Sequence, residues 1–332
     1  MIFRTPILTL LLVSFLAALV AGAAAWFALA VVRRWNLASG TREQLLMERR
    51  TELISTLFAF VMAAEGAALL LFVFNADRMA SLFVGGMCAV GTLNANAYGF
   101  PALYAKIAVF FAACLWLVLD RADRLGRDYP LTRLKYGVVL GLLPLILLSG
   151  GLELAYFLNL KTDVITSCCS KLFTPTNPGL SDEMAAIAPG VALWALGLAG
   201  ALVAGTGLFA LKSGRGHLAF GLAGAVYFAV ALVAMVSVIS LYVYENPNHH
   251  CPFCILKPEY GYIGYAFYVP LFGATALALG AGAVAPFARR ASLAAPLPAL
   301  LRRFTLWALA GFAAYGAVTV FAIARSHLIL FG

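Results

Sequence analysis

Long apolar stretches alternate with short polar ones along the whole chain. Apolar runs fall at 6–32, 53–75, 102–119, 136–158, 189–211, 218–244, 263–287 and 304–324. Crossing the hydrocarbon slab takes about 20 residues of helix. The pattern therefore predicts an all-α polytopic bundle of eight transmembrane helices, a single transmembrane domain over 1–332 with no room for a separate soluble domain. Composition agrees: 63% of residues are hydrophobic and only 11% charged, against roughly a quarter charged in soluble domains. Ala21-Gly22-Ala23 resembles a signal cleavage site, but the apolar run continues to Val32 and stops at Arg33-Arg34. That exceeds the roughly 7–15-residue core of a signal peptide, so the first helix is expected to be uncleaved.

Charge placement orients the bundle. If Arg33 and Arg34 are cytoplasmic, four inner connections hold 16 of the 23 Lys and Arg residues. The other face keeps six: Arg4, Arg78, Lys161, Lys171, Lys257 and Arg325. Cationic residues gather on the cytoplasmic side, so both termini are expected on the outer face. The net charge of +9 then reads as topology, with membrane lipid as partner and no nucleic acid. The expected location is a bacterial inner membrane, with loops 76–101, 159–188 and 245–262 on the periplasmic or outer side. Loop 76–101 is apolar for a connection and is expected to pack into the bundle, since irregular backbone at membrane depth must be buried in protein. Gly137 with Gly141, and Gly200 with Gly205 and Gly207, are expected close-packing faces.

The three outer loops carry five of the six cysteines: Cys88, Cys168, Cys169, Cys251 and Cys254. Cys114 lies inside a helix and reads as a small buried hydrophobe. His249-His250-Cys251-Pro252-Phe253-Cys254 concentrates soft-ligand and redox side chains in one gap. Cys251 and Cys254 have the spacing to close a small disulfide ring or to chelate a soft metal. Thiol exchange needs a thiolate, which a nearby cation favours, and His249, His250 and Lys257 are the neighbours that could supply it. Cys168-Cys169 is an adjacent pair suited to a strained, reducible disulfide or to metal ligation.

The leading expectation is a thiol–disulfide redox protein, with Cys251 and Cys254 as the reactive pair and Cys168 and Cys169 as the exchange pair. Electrons would pass to a quinone-like carrier or to an extracytoplasmic thiol protein. Two alternatives stay open. One is soft-metal binding or transport (Cu, Zn or Hg) through Cys251, Cys254, Cys168, Cys169, His249 and His250; zinc takes four N/S ligands. The other is a non-catalytic membrane subunit with structural disulfides. The layout resembles membrane thiol oxidoreductases, the quinone-linked disulfide-forming enzymes and vitamin K epoxide reductases, in having a CxxC and a second cysteine pair on one face of a helical bundle. It departs from them in having about twice as many helices and an adjacent Cys-Cys pair, and no family follows from it.

Three charged residues fall within apolar runs. Glu65 lies near the middle of the second, Glu153 near the outer end of the fourth, and Lys106 about one turn inside the third. Lys106 and Glu153 reach similar depth and are expected to pair. Glu65, with no evident cation, is the expected proton relay, because ionisable groups in the bilayer are costly and commonly functional. Tyr242, Tyr244, Tyr260, Tyr262, Tyr265 and Tyr268 crowd the outer edge, as an interfacial aromatic belt does. Tyr262 and Tyr265 are the expected wall for a quinone headgroup. The chain has neither a GxxxxGK[ST] nucleotide loop nor a CxxCH haem attachment site.

Overall fold

The computed structural model describes residues 5–36, 39–86, 88–161, 184 and 186–330. It is 81% helix, and no strand occurs among the described residues. In chain order the helices are α1 (Thr5–Arg34), α2 (Arg42–Met79), the short α3 (Ala89–Leu93), α4 (Gly99–Asp123), α5 (Thr132–Leu158), α6 (Pro189–Ser213), α7 (His217–Ala234), α8 (Ser240–Tyr244), α9 (Ile263–Val284) and α10 (Leu297–Arg325). A π-helical turn, Met235–Ile239, joins α7 to α8. The two thus form one span, and among the described residues eight spans are long and apolar enough to cross a membrane.

Several helices overrun the apolar runs that announce them. α2 begins at Arg42 rather than near residue 53, and Thr41 caps it by accepting from the Gln44 amide at 3.4 Å. Residues 42–52 are charged but consist largely of Arg, Glu, Gln, Leu and Met, which favour helix. The connection expected over 33–52 is therefore helical from Arg42 onward. At about 1.5 Å per residue, the 38 residues of α2 extend about 57 Å, against a hydrocarbon core of about 30 Å. Its charged first turns lie beyond the apolar slab.

The chain divides into two compact units. The first holds α1, α2, α4, α5 and Phe287–Leu297. α4 is its centre, the most buried of the four helices along its apolar stretch. Ala17, Ala21, Ala24 and Ala28 repeat at helical spacing along α1 and are buried with Phe58, Trp116 and Tyr136. At the α4–α5 turn, the Lys135 ammonium sits 2.9 Å from both Asp120 and Asp123. Asp123 also accepts from the Leu131 amide and the Thr132 hydroxyl. All three charged groups are buried, and Arg124 adds a second cation 2.7 Å from Asp120, so the turn is held by balanced charge beneath the exposed Arg121, Arg127 and Arg133.

The second unit holds Gly85–Gly91 and α6 to α10. The span containing α7 is central, the most buried of this unit's spans along its apolar stretch. The close-packing glycines are not all the expected ones. Gly137, Gly141 and Gly205 have open space where a side chain would stand, so the expected α5 face carries no contact. Gly207 does face Leu309 and Phe220 closely. A close approach of two helix backbones is at Gly221, where a Cβ would lie 2.9 Å from the Ala278 carbonyl of α9. α10 joins through Tyr315, whose hydroxyl donates to the Ala231 carbonyl at 3.1 Å, and through Phe312 edge-on to Tyr227.

Candidate functional site

Cys88, Cys251 and Cys254 converge within the second unit. Their sulfur atoms all lie within 4.8 Å of one another, and Cys88 Sγ stands 3.3 Å from Cys251 Sγ. That separation exceeds the about 2.05 Å of a disulfide bond. All three side chains are buried, among Val90, Tyr244, Phe253 and Tyr260. Part of the apolar loop 76–101 is buried: Cys88 immediately precedes α3, and Cys88, Ala89 and Leu93 are fully enclosed, while Val84 and Tyr98 are exposed. Cys88, which the sequence placed on an outer face without a partner, is thus the third member of the cluster. No spacing rule connects it to a residue 163 positions away.

The loop after α8 is held from several directions. Cys254 opens a short 3-10 turn, Cys254–Leu256, and Gly264 at the start of α9 seats against it. A Cβ on Gly264 would lie 2.8 Å from both Ile255 and Leu256 side chains. The Tyr244 hydroxyl donates to the Cys251 carbonyl at 2.5 Å, and the Tyr268 hydroxyl donates to the Pro252 carbonyl at 2.7 Å. His250 Nδ1 lies 2.9 Å from the Val236 carbonyl, which belongs to the π turn. A π turn shifts backbone pairing from i−4 to i−5 and leaves a carbonyl open to such a side chain. His250 thereby anchors the loop to the central span.

His249 does not supply the expected cation. His249 stacks on Tyr244, ring centroids 4.0 Å apart, and burial together with the neighbouring His250 pushes its pKa down. A neutral imidazole gives a thiolate no help. Cys251 is held well above the usual thiol range, first by its hydrogen bond with Cys254 and then by burial, with the Cys88 contact opposing. The clustered donor atoms among the described residues are the three sulfurs, with neither histidine in the group. Tyr262 and Tyr265 are exposed; the tyrosines that touch the cysteine loop are Tyr244, Tyr260 and Tyr268. Cys168 and Cys169 lie outside the described residues. Cys114 is half-buried rather than enclosed.

The first unit carries the charges predicted inside the membrane. Lys106 Nζ stands 3.0 Å from Glu153 Oε2, so the pair expected from depth is present. Ser14 of α1 donates to the same carboxylate oxygen at 2.5 Å. Glu65 does have a cation within electrostatic reach, namely Lys106, contrary to the expectation that it stands without one. Helix register hid this, because Lys106 is shared between two carboxyls on different helices.

Comparison with protein-family models, with curated proteins and with solved structures found no match. Function is therefore read from the geometry of the cysteines.

Proposed function

We propose that this chain is a multi-span protein of a bacterial inner membrane that binds a soft metal ion, Cu(I) foremost, between Cys88, Cys251 and Cys254 on the outer face. The observation that carries the reading is three buried thiols from two separate segments converging within 4.8 Å. With metal–sulfur bonds of about 2.3 Å, three sulfurs around one ion sit about 4.0 Å apart, inside the range bracketed by the 3.3 Å contact and that limit. Soft thiolate donors select Cu(I) and Zn(II). Zinc asks for a fourth ligand, whereas the described donor group has three. Coordination also answers the protonation state, because a bound ion deprotonates a coordinating thiol. Cys168 and Cys169 remain in the proposal as candidate further ligands. The outer-face assignment rests on the bias of Lys and Arg to the opposite connections.

The test is metal content. Full-length protein, loaded with Cu(I) without oxygen in nanodiscs and desalted, should hold one ion per chain with sulfur neighbours in its X-ray absorption spectrum. Protein that holds no ion, and whose thiols take maleimide only after reduction, overturns the metal reading.

That second outcome would favour the thiol-redox reading, which the 3.3 Å contact between Cys88 and Cys251 supports. Those two thiols would join as a disulfide, sending two protons and two electrons to a quinone-class carrier. The Cys254 thiolate would then attack Cys251 and release Cys88. It ranks second because Cys251 is held protonated in a buried site, and exchange needs a thiolate.

A further inference from the structure

We propose that Glu65, Lys106 and Glu153, together with Ser14, form a proton-binding site inside the first unit that holds one exchangeable proton on the Glu65 carboxyl. The four side chains come from α2, α4, α5 and α1 and are all buried, with relative exposures of 4% for Glu65, 2% for Lys106, 0% for Glu153 and 7% for Ser14. The site is separate from the cysteines, and neither proposal depends on the other.

Charge balance carries the assignment. Two carboxyls share one ammonium, and an uncompensated anion inside the membrane is strongly disfavoured. One added proton makes the group neutral. Glu153 is the member already compensated, because its Oε2 lies 3.0 Å from the Lys106 ammonium and accepts from the Ser14 hydroxyl at 2.5 Å. The proton therefore resides on Glu65. The charges that face Glu65 are Lys106 from α4 and Glu153 from α5, while α1 presents the uncharged Ser14.

The group also has unused hydrogen-bonding capacity. Glu65 Oε1, Glu153 Oε1 and Lys106 Nζ have no hydrogen-bond partner among the described residues, although all three atoms are enclosed. The ammonium lies near Glu153 without aligning a hydrogen bond to it, and 5.8 Å from the face of Phe72. A purely structural ion pair would saturate these atoms, since buried polar groups are normally satisfied. Here the enclosed Glu65 Oε1 has no partner, and a proton on that carboxyl leaves no bare charge in the membrane. No redox step or bound cation takes part.

The test is infrared spectroscopy of the full-length protein in nanodiscs. The intact protein should show a protonated-carboxyl stretch at neutral pH that shifts in heavy water and disappears in Glu65→Gln. In Lys106→Met the ammonium is gone, both carboxyls must be neutral, and the band should double. Glu65→Gln keeps the side-chain volume, and a single symmetric size-exclusion peak shows that it folds. Absence of the band in the intact protein overturns the proposal, as does a band that survives Glu65→Gln. A band that never shifts in heavy water also overturns it, because the proton is then a fixed structural one. Loss of the band on adding sodium at constant pH overturns it in favour of a metal-cation site.

Discussion

At the residue scale the cysteines behave as a set, because each sulfur supplies one bond to a shared ion. Replacing Cys88, Cys251 or Cys254 singly with Ser should drop bound Cu(I) from one per chain toward zero, measured after desalting. The same change at Cys114, which lies on α4 and is not among the clustered sulfurs, should leave it unchanged. The pH dependence has a definite sign. Cys251 is raised above the usual thiol range, so the metal-free site carries its proton at neutral pH and binding must expel it. Apparent Cu(I) affinity should therefore rise with pH, by about tenfold per unit for each proton displaced. Competition with a chromophoric chelator between about pH 6 and 8 checks this; a flat profile would mean the thiols are already ionised. Of these residues, Cys251 and Cys254 were legible from their spacing and their place between apolar runs. Cys88 was not, because nothing local to Gly85–Gly91 records which distant loop it meets.

At the element scale, the π turn and the first turn of α9 position the cysteine loop. His250→Ala removes the side chain that meets the Val236 carbonyl. The carbonyl keeps the Ser240 hydroxyl at 3.2 Å, so the change removes one hydrogen bond, about 0.5–1.5 kcal/mol net. The expected outcome is one ion per chain still bound but with about 10-fold weaker affinity, the scale of lost supporting contacts around a metal site. Loss of stoichiometry would instead make His250 a ligand. Gly264→Ala pushes a methyl into Ile255 and Leu256, and overpacking of that kind costs about 1–3 kcal/mol. The α4–α5 turn offers a separate test of stability. Asp123→Ala leaves the buried Lys135 with one of its two carboxylates and exposes two orphaned donors at Leu131 and Thr132. Breaking such a buried pair costs about 3–5 kcal/mol, visible as a lower thermal midpoint in detergent with Cu(I) stoichiometry unchanged in the folded fraction.

At the scale of the whole molecule, eight spans and a strong charge bias make orientation the testable property. Asn248→Cys, in the exposed connection after α8, and Ser213→Cys, at the exposed last residue of α6, place new thiols at opposite ends of the central span and its predecessor. A membrane-impermeant maleimide applied to intact cells should label Asn248→Cys above the unsubstituted protein, and Ser213→Cys only after permeabilisation. The reverse pattern would place the cysteine cluster in the cytoplasm, where reduced thiols and soft metals meet under different constraints.

Composition and pattern alone determined that this is a multi-span helical protein, because twenty apolar residues in a row have no other low-energy home than a helix in lipid. They also placed the cysteines in connections and the charges of Lys106, Glu65 and Glu153 at membrane depth. Helix ends were less legible: the first turns of α2 are charged, and charge masks helical propensity when apolar runs are the signal. Which residues meet was decided by tertiary structure. Cys88 joining Cys251 and Cys254, Lys106 facing two carboxyls, and Gly221 rather than Gly137 meeting a neighbouring helix all depend on helix rotation. Helices that are apolar on every face leave that rotation unwritten in their hydrophobic pattern, so side-chain packing sets it.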